Sequence, residues 1–64
     1  MAELNASFHD AACAREAQRK LEALRAATVR PDAGGTAFTA QVDDAIIEQA
    51  TRLIETHGGT AEWN

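Results

Sequence analysis

The chain has 64 residues and a formal net charge of −4, with ten acidic and six basic side chains, one cysteine, one proline and one tryptophan. That length allows one domain, which buries a smaller share of its unfolded surface than a larger one would, and the lone Cys13 excludes an internal disulfide. Association is the remaining route to extra stability, while an acidic balance without interleaved aromatic and basic residues argues against sequence-specific nucleic-acid binding by a monomer.

Residues 2–27 are rich in Ala, Leu, Glu, Arg, Lys and Gln and contain neither Gly nor Pro, a composition that predicts a first helix over about 7–27. Ser7 followed by Asp10 approximates a capping box, with residues 1–6 frayed or continuing the helix. Ala14, Ala17, Leu21, Leu24 and Thr28 share one helical face, whereas Leu4, Phe8 and Ala11 fall on another. Either the chain bends near Ser7, or Phe8 and Leu4 serve a second surface. The alanines at 11, 12, 14 and 17 would let another backbone approach closely, although alanine is also simply the best helix former. Glu16 with Lys20 and Arg19 with Glu22 are spaced for weak ion pairs.

From Thr28 to Gln41 the helical pattern stops, punctuated by Pro31 and by Gly34-Gly35. The flanking segments Ala27–Arg30 and Thr36–Ala40 carry β-branched and aromatic residues at a spacing that permits a short antiparallel hairpin over about 28–41. An irregular loop between two antiparallel helices is the alternative. A second helix over about 43–57 follows, opened by Asp43 or Asp44 and stopped at Gly58. Val42, Ile46, Ile47, Ala50, Leu53, Ile54 and His57 lie on one side of it, and Asp44, Glu48, Thr51, Arg52 and Glu55 on the other. The tail, 59–64, carries Trp63, which either folds back or waits for a partner.

Charge is unevenly spread. Residues 15–30 are basic through Arg15, Arg19, Lys20, Arg25 and Arg30, while from residue 31 onward Arg52 alone faces six acids. The bland consequence is a weak attraction between the two helices; the sharper one is a basic segment that meets an acidic partner or a phosphate backbone.

Candidate chemistry is sparse. His9 and Cys13 are spaced to share a metal, but a structural zinc site needs four ligands and the remaining donors are scattered. A Cys–His nucleophilic pair needs an activated thiolate beside a cleft, for which so short a chain leaves little room. Gly34-Gly35 and Gly58-Gly59 lack the pattern and the lysine of a phosphate-cradling loop, and capping explains Asp43-Asp44. The expectation is therefore a non-enzyme without catalytic, cofactor-binding or metal-ligating residues and without a small-molecule substrate. With no apolar run of membrane-spanning length and no signal-peptide pattern, the chain is expected in the cytoplasm, or in a particle assembled there.

Ala27-Thr28-Val29, a turn region, Phe38-Thr39-Ala40 and an acidic-capped amphipathic helix ending at Thr56-His57-Gly58 resemble, over about residues 20–58, the small head-tail joining proteins of tailed bacteriophages, the lambda W protein family. The resemblance implies a non-catalytic virion assembly component that joins the portal of a filled capsid and forms the platform for the tail. It also implies a core of Val29, Phe38, Ile46, Ala50 and Leu53 with Leu21 and Leu24, with the basic residues of the first helix and the tail as contact surfaces. The acidic second half and the Gly34-Gly35 turn depart from that family.

A second resemblance, of Thr36–Val42 and Asp43-Asp44 to the strand and first helix of ribbon-helix-helix DNA-binding regulators, suffers from having only five residues after Gly59. A third reading is a small helical inhibitor or adaptor that docks onto a larger protein.

The sequence thus predicts one small, mainly helical α+β domain, ordered helix, short β-hairpin, helix, or else an all-α two-helix hairpin that oligomerises. Its function is expected to be protein–protein interaction or assembly, with a protein partner, self-association or both. The candidate interaction surface comprises Phe8, Ile47, Ile54 and Trp63, whose apolar area one short helix cannot cover, together with Arg15, Arg19 and Arg25.

Overall fold

The computed structural model describes residues 1–24 and 28–64. Its elements run β1 (Ala2–Ser7), α1 (Ala11–Ala23), β2 (Thr28–Pro31), β3 (Ala37–Val42), a 3-10 turn (Asp44–Ile46), α2 (Ile47–Thr56) and β4 (Thr60–Trp63). The four strands form one antiparallel sheet in the order β2-β3-β1-β4. This is the element and strand order of split β-α-β, or ferredoxin-like, sheets.

The mainly helical expectation is overturned, and the two-helix hairpin with it. The described residues are 43% helical and 33% strand. Residues 2–7, expected to fray or to extend the first helix, form a central strand, paired with β3 from Ala2↔Val42 to Ser7↔Ala37. The tail is the fourth strand, paired with β1 from Leu4↔Trp63 to Ser7↔Thr60. The physical reason is two-residue periodicity. Ala2-Glu3-Leu4-Asn5-Ala6-Ser7 and Thr60-Ala61-Glu62-Trp63 alternate apolar with polar residues, so a strand puts Leu4, Ala6, Ala61 and Trp63 on one face. Packing of that face outweighs the helix propensity of alanine, which is only a weak prior.

Between β2 and β3 the hairpin is paired from Thr28↔Gln41 to Pro31↔Phe38. Its turn is held by Asp32, whose carboxylate accepts from Gly34 N–H at 2.8 Å and whose carbonyl accepts from Gly35 N–H at 3.1 Å. The expected Ala27 end of this strand, like residues 25–27 of the first helix, lies outside the described residues.

α1 is capped by Asp10 rather than Ser7: the Asp10 carboxylate accepts from Cys13 N–H at 2.8 Å, which satisfies one of the free donors of the first turn. Asp43 accepts from Ala45 N–H and opens the 3-10 turn, so that α2 itself begins only at Ile47. α2 ends in a Schellman motif, with Gly59 N–H donating to Ile54 carbonyl and Gly58 N–H to Glu55 carbonyl. Gly58 adopts φ +78° there, where a side chain would be strained.

The core lies between the sheet and the two helices. Leu4, Ala6, Phe38, Ala40 and Val42 of the sheet meet Ala17 and Leu21 of α1 and Ala50 and Ile54 of α2, all buried. Phe8, Val29, Ile46, Leu53, Ala61 and Trp63 pack around them, half-buried. Leu24, expected in the core, is only half-buried, at the C-cap of α1. Among the described residues no helix is long and apolar enough to cross a membrane.

Candidate interaction surface

Most of the expected apolar contact surface is internal. Ile54 is 0% exposed and belongs to the core, so it offers a partner nothing. Phe8 follows β1 directly and stacks on Phe38, with ring centroids 5.8 Å apart and planes at 24°, an offset geometry favourable to aromatic pairs. Trp63 folds back: its indole N–H donates to Thr51 Oγ1 at 2.9 Å, and that hydroxyl donates in turn to the Ile47 carbonyl at 2.9 Å. Ile47 itself is half-buried. The four-stranded sheet, invisible to a two-helix count, buries Ile54 and takes Phe8 and Trp63 against the core, whereas Ile47 is only partly covered. Among the described residues only Met1 is an exposed large hydrophobic side chain, at 72%.

The basic candidates divide. Arg15 and Arg19 are exposed on α1, and Arg25 lies outside the described residues. The spaced pairs Glu16–Lys20 and Arg19–Glu22 do not close. Among the described residues the one ion pair joins the Met1 amine to Asp44 at 3.7 Å, exposed on both sides, and such pairs contribute little to stability.

Two surfaces remain. One is the sheet face turned away from the helices, formed by Glu3, Asn5 and Ser7 of β1, Thr39 and Gln41 of β3, Thr28 and Arg30 of β2 and Glu62 of β4. Thr39 Oγ1 lies 3.3 Å from Asn5 Oδ1 across it, in hydrogen-bond contact. The face is polar and carries no aromatic side chain among the described residues, so it has no platform on which a nucleic-acid base could stack. β3, moreover, is flanked on both sides by β2 and β1. That leaves no edge through which it could pair with a second copy as ribbon-helix-helix regulators do.

The other is a groove between α1 and α2 of about 340 Å³, lined by Lys20, Leu24, Gln49, Arg52, Leu53, Thr56 and His57. Leu24 and Leu53 supply its apolar floor. Lys20 stands on the α1 wall; Arg52 stands on the α2 wall, with His57 at that helix's C-cap. Among the described residues the lining holds no carboxylate. Sequence reasoning missed this site because it depends on the angle at which α1 and α2 share the sheet; the only local signal was the position of Leu53 and His57 on one side of α2.

Cys13 sits away from both surfaces in the first turn of α1. Its backbone N–H and its thiol, the latter 3.7 Å from Asp10 Oδ2, both donate to Asp10. These two hydrogen bonds hold the Asp10 carboxyl below the ordinary carboxylate range. The same contact pushes the Cys13 thiol up, with burial adding to it. A thiol so held is a poorer nucleophile, not an activated one. Among the described residues no three His, Cys, Asp or Glu side chains cluster as a metal site would require.

No protein-family model matches the chain, and no curated protein or solved structure matches it either.

Proposed function

We propose that the chain is a non-enzymatic protein-interaction module of the adaptor or inhibitor kind, which docks a helical segment of a partner protein in the groove between α1 and α2. One observation carries this reading: two half-buried leucines, Leu24 and Leu53, line an open groove between the two helices together with Lys20 and Arg52. A partner helix presenting apolar residues at i, i+3 and i+4 fits such a trough. The groove is open to solvent, whereas small-molecule sites bury most of their ligand, which favours a peptide.

Of the readings raised by the sequence, the head-tail joining resemblance covers α1, the β2–β3 hairpin and α2, an order that the chain keeps with a strand added at each end, and no feature of the groove bears on a portal or a tail. The adaptor reading does not depend on that order. It is tested by titrating labelled protein with amphipathic helical peptides and mapping amide shift changes by NMR. Changes centred on Lys20, Leu24, Arg52, Leu53 and His57 are expected. Changes centred on Asn5, Thr39 and Gln41 would move docking to the open sheet face and refute it.

A further inference from the structure

Resting on that docking reading, we infer that the groove selects a partner helix that is acidic as well as apolar, with carboxylates on both flanks of its apolar stripe. The argument is charge complementarity. The protein is acidic as a whole, with a net charge of −4, yet the groove lining contains Lys20, Arg52 and His57 and no acid. Neither Lys20 nor Arg52 is engaged in an ion pair among the described residues, where the Met1–Asp44 contact is the one recorded. The cations stand on opposite walls of the apolar floor, Lys20 on α1 and Arg52 on α2. A docked helix with leucines downward would therefore present its two flanks to one cation each. The last carbonyls of α2 put partial negative charge near His57, although those of Glu55 and Ile54 accept from Gly58 and Gly59 N–H, so the positive charge of the lining rests on Lys20 and Arg52.

A flat anionic surface such as a lipid bilayer is disfavoured by the rest of the helical layer. Glu16 and Glu22 of α1 and Glu48 and Glu55 of α2 are all exposed on the helices, and a planar array of negative charge would meet exposed acids of the helical layer together with the cations. These four acids are outside the groove lining, so a helix seated there contacts Lys20 and Arg52 first.

The test uses three helix-forming peptides of about 15 residues, long enough to hold a helix when bound. All share one leucine stripe, and the flanking positions are Glu, Gln or Lys. The folded chain is titrated with each at low and at physiological salt, and vesicles containing phosphatidylserine are assayed by co-sedimentation. The Glu peptide is expected to bind at least tenfold more tightly than the Gln peptide at low salt, with the preference shrinking as salt rises. The Lys20→Glu/Arg52→Glu double variant is expected to reverse that order in favour of the Lys peptide. Both positions are exposed, so the variant should keep the melting temperature of the parent, which calorimetry checks. Equal binding of the Glu and Gln peptides overturns the acidic inference and leaves the docking reading standing; failure of all three peptides to bind overturns both. Vesicle binding that is lost in the double variant, with the peptides inert, would make the groove a lipid-surface site and overturn the inference.

Discussion

Gly58 and Gly59 stand side by side at the end of α2 for different physical reasons, and replacing each by alanine separates them. At Gly58 the backbone has φ +78° and an added Cβ would meet nothing within 4 Å. Gly58→Ala should therefore cost only the left-handed conformation, about 1–2 kcal/mol. Gly59 has an ordinary backbone φ, but an added Cβ would stand 2.4, 2.6 and 2.9 Å from three carbons of the Phe8 ring. The ring cannot simply swing aside, because its other contact is the stack on Phe38. Overpacking of this kind costs about 1–3 kcal/mol, and for a domain of this size each kcal/mol lowers the melting temperature by roughly 4–8 °C. The discriminating measurement is a double-mutant cycle by chemical denaturation. Phe8→Ala opens the space that the new methyl group needs, so Gly59→Ala should be much better tolerated in that background, with a coupling of about 1 kcal/mol or more. Gly58→Ala should show no such coupling. If Gly59→Ala and Phe8→Ala add within about 0.5 kcal/mol, the packing of Phe8 under the β4 entrance has been misread.

The Asp10 cap should give the stability curve an acid limb. A carboxyl lowered in the folded state contributes stability that is full above its unfolded value and is lost as pH falls through the lowered folded one. Asp10→Asn keeps a capping acceptor but cannot titrate, so its melting temperature should lie below the parent's at neutrality and fall less towards strongly acid pH; an unchanged acid limb refutes the assignment. Because Asp10 also holds the Cys13 thiol protonated, iodoacetamide should alkylate Cys13 at mildly alkaline pH more slowly than an unstructured cysteine peptide does, and faster in Asp10→Ala. Thr51→Val removes the acceptor of the Trp63 indole and should cost about 1 kcal/mol with a shift of the single tryptophan's emission; an unmoved spectrum would mean that β4 is not fastened to α2 through this contact.

How much of this fold was legible depends on which periodicity is counted. α2 could be read because its apolar residues recur at helical spacing and a glycine stops it. The β2–β3 hairpin could be read from Pro31, the paired glycines and the β-branched and aromatic residues on either side of them, but Val42, which the helical spacing assigns to the second helix, is the last residue of β3. β1 and β4 carry the same alternation, around Leu4 and around Trp63, but each is short and three of their inward residues, Ala2, Ala6 and Ala61, are alanine. Composition says helix for residues 2–7, whereas residues 60–63 are too few to read as more than a tail. A two-residue pattern says little until a neighbouring strand gives its apolar side something to face. β1 obtains two neighbours, β3 from the middle of the chain and β4 from its far end, and no short window of sequence contains β1 together with either.

That pairing also changes what a partner could be for. A helix pair alone would leave Ile54, Phe8 and Trp63 uncovered, so association would be needed to complete the core. In the folded chain Ile54 is buried with Leu4, Leu21 and Val42 at 0% exposure, and Phe8 and Trp63 pack against the cluster they form. Association is then no longer a condition of folding, and a partner would be recognised by a surface that survives folding. The groove meets that requirement: its leucines are half-buried, enough to be fixed in position and open enough to be touched. Its cations lie where the sequence concentrated positive charge only in part, since Lys20 comes from the basic middle of the chain and Arg52 is the lone base of the acidic half. The charge asymmetry along the sequence is thus a poor guide to the charge of the surface, because packing α1 beside α2 sets residues 32 positions apart in one site.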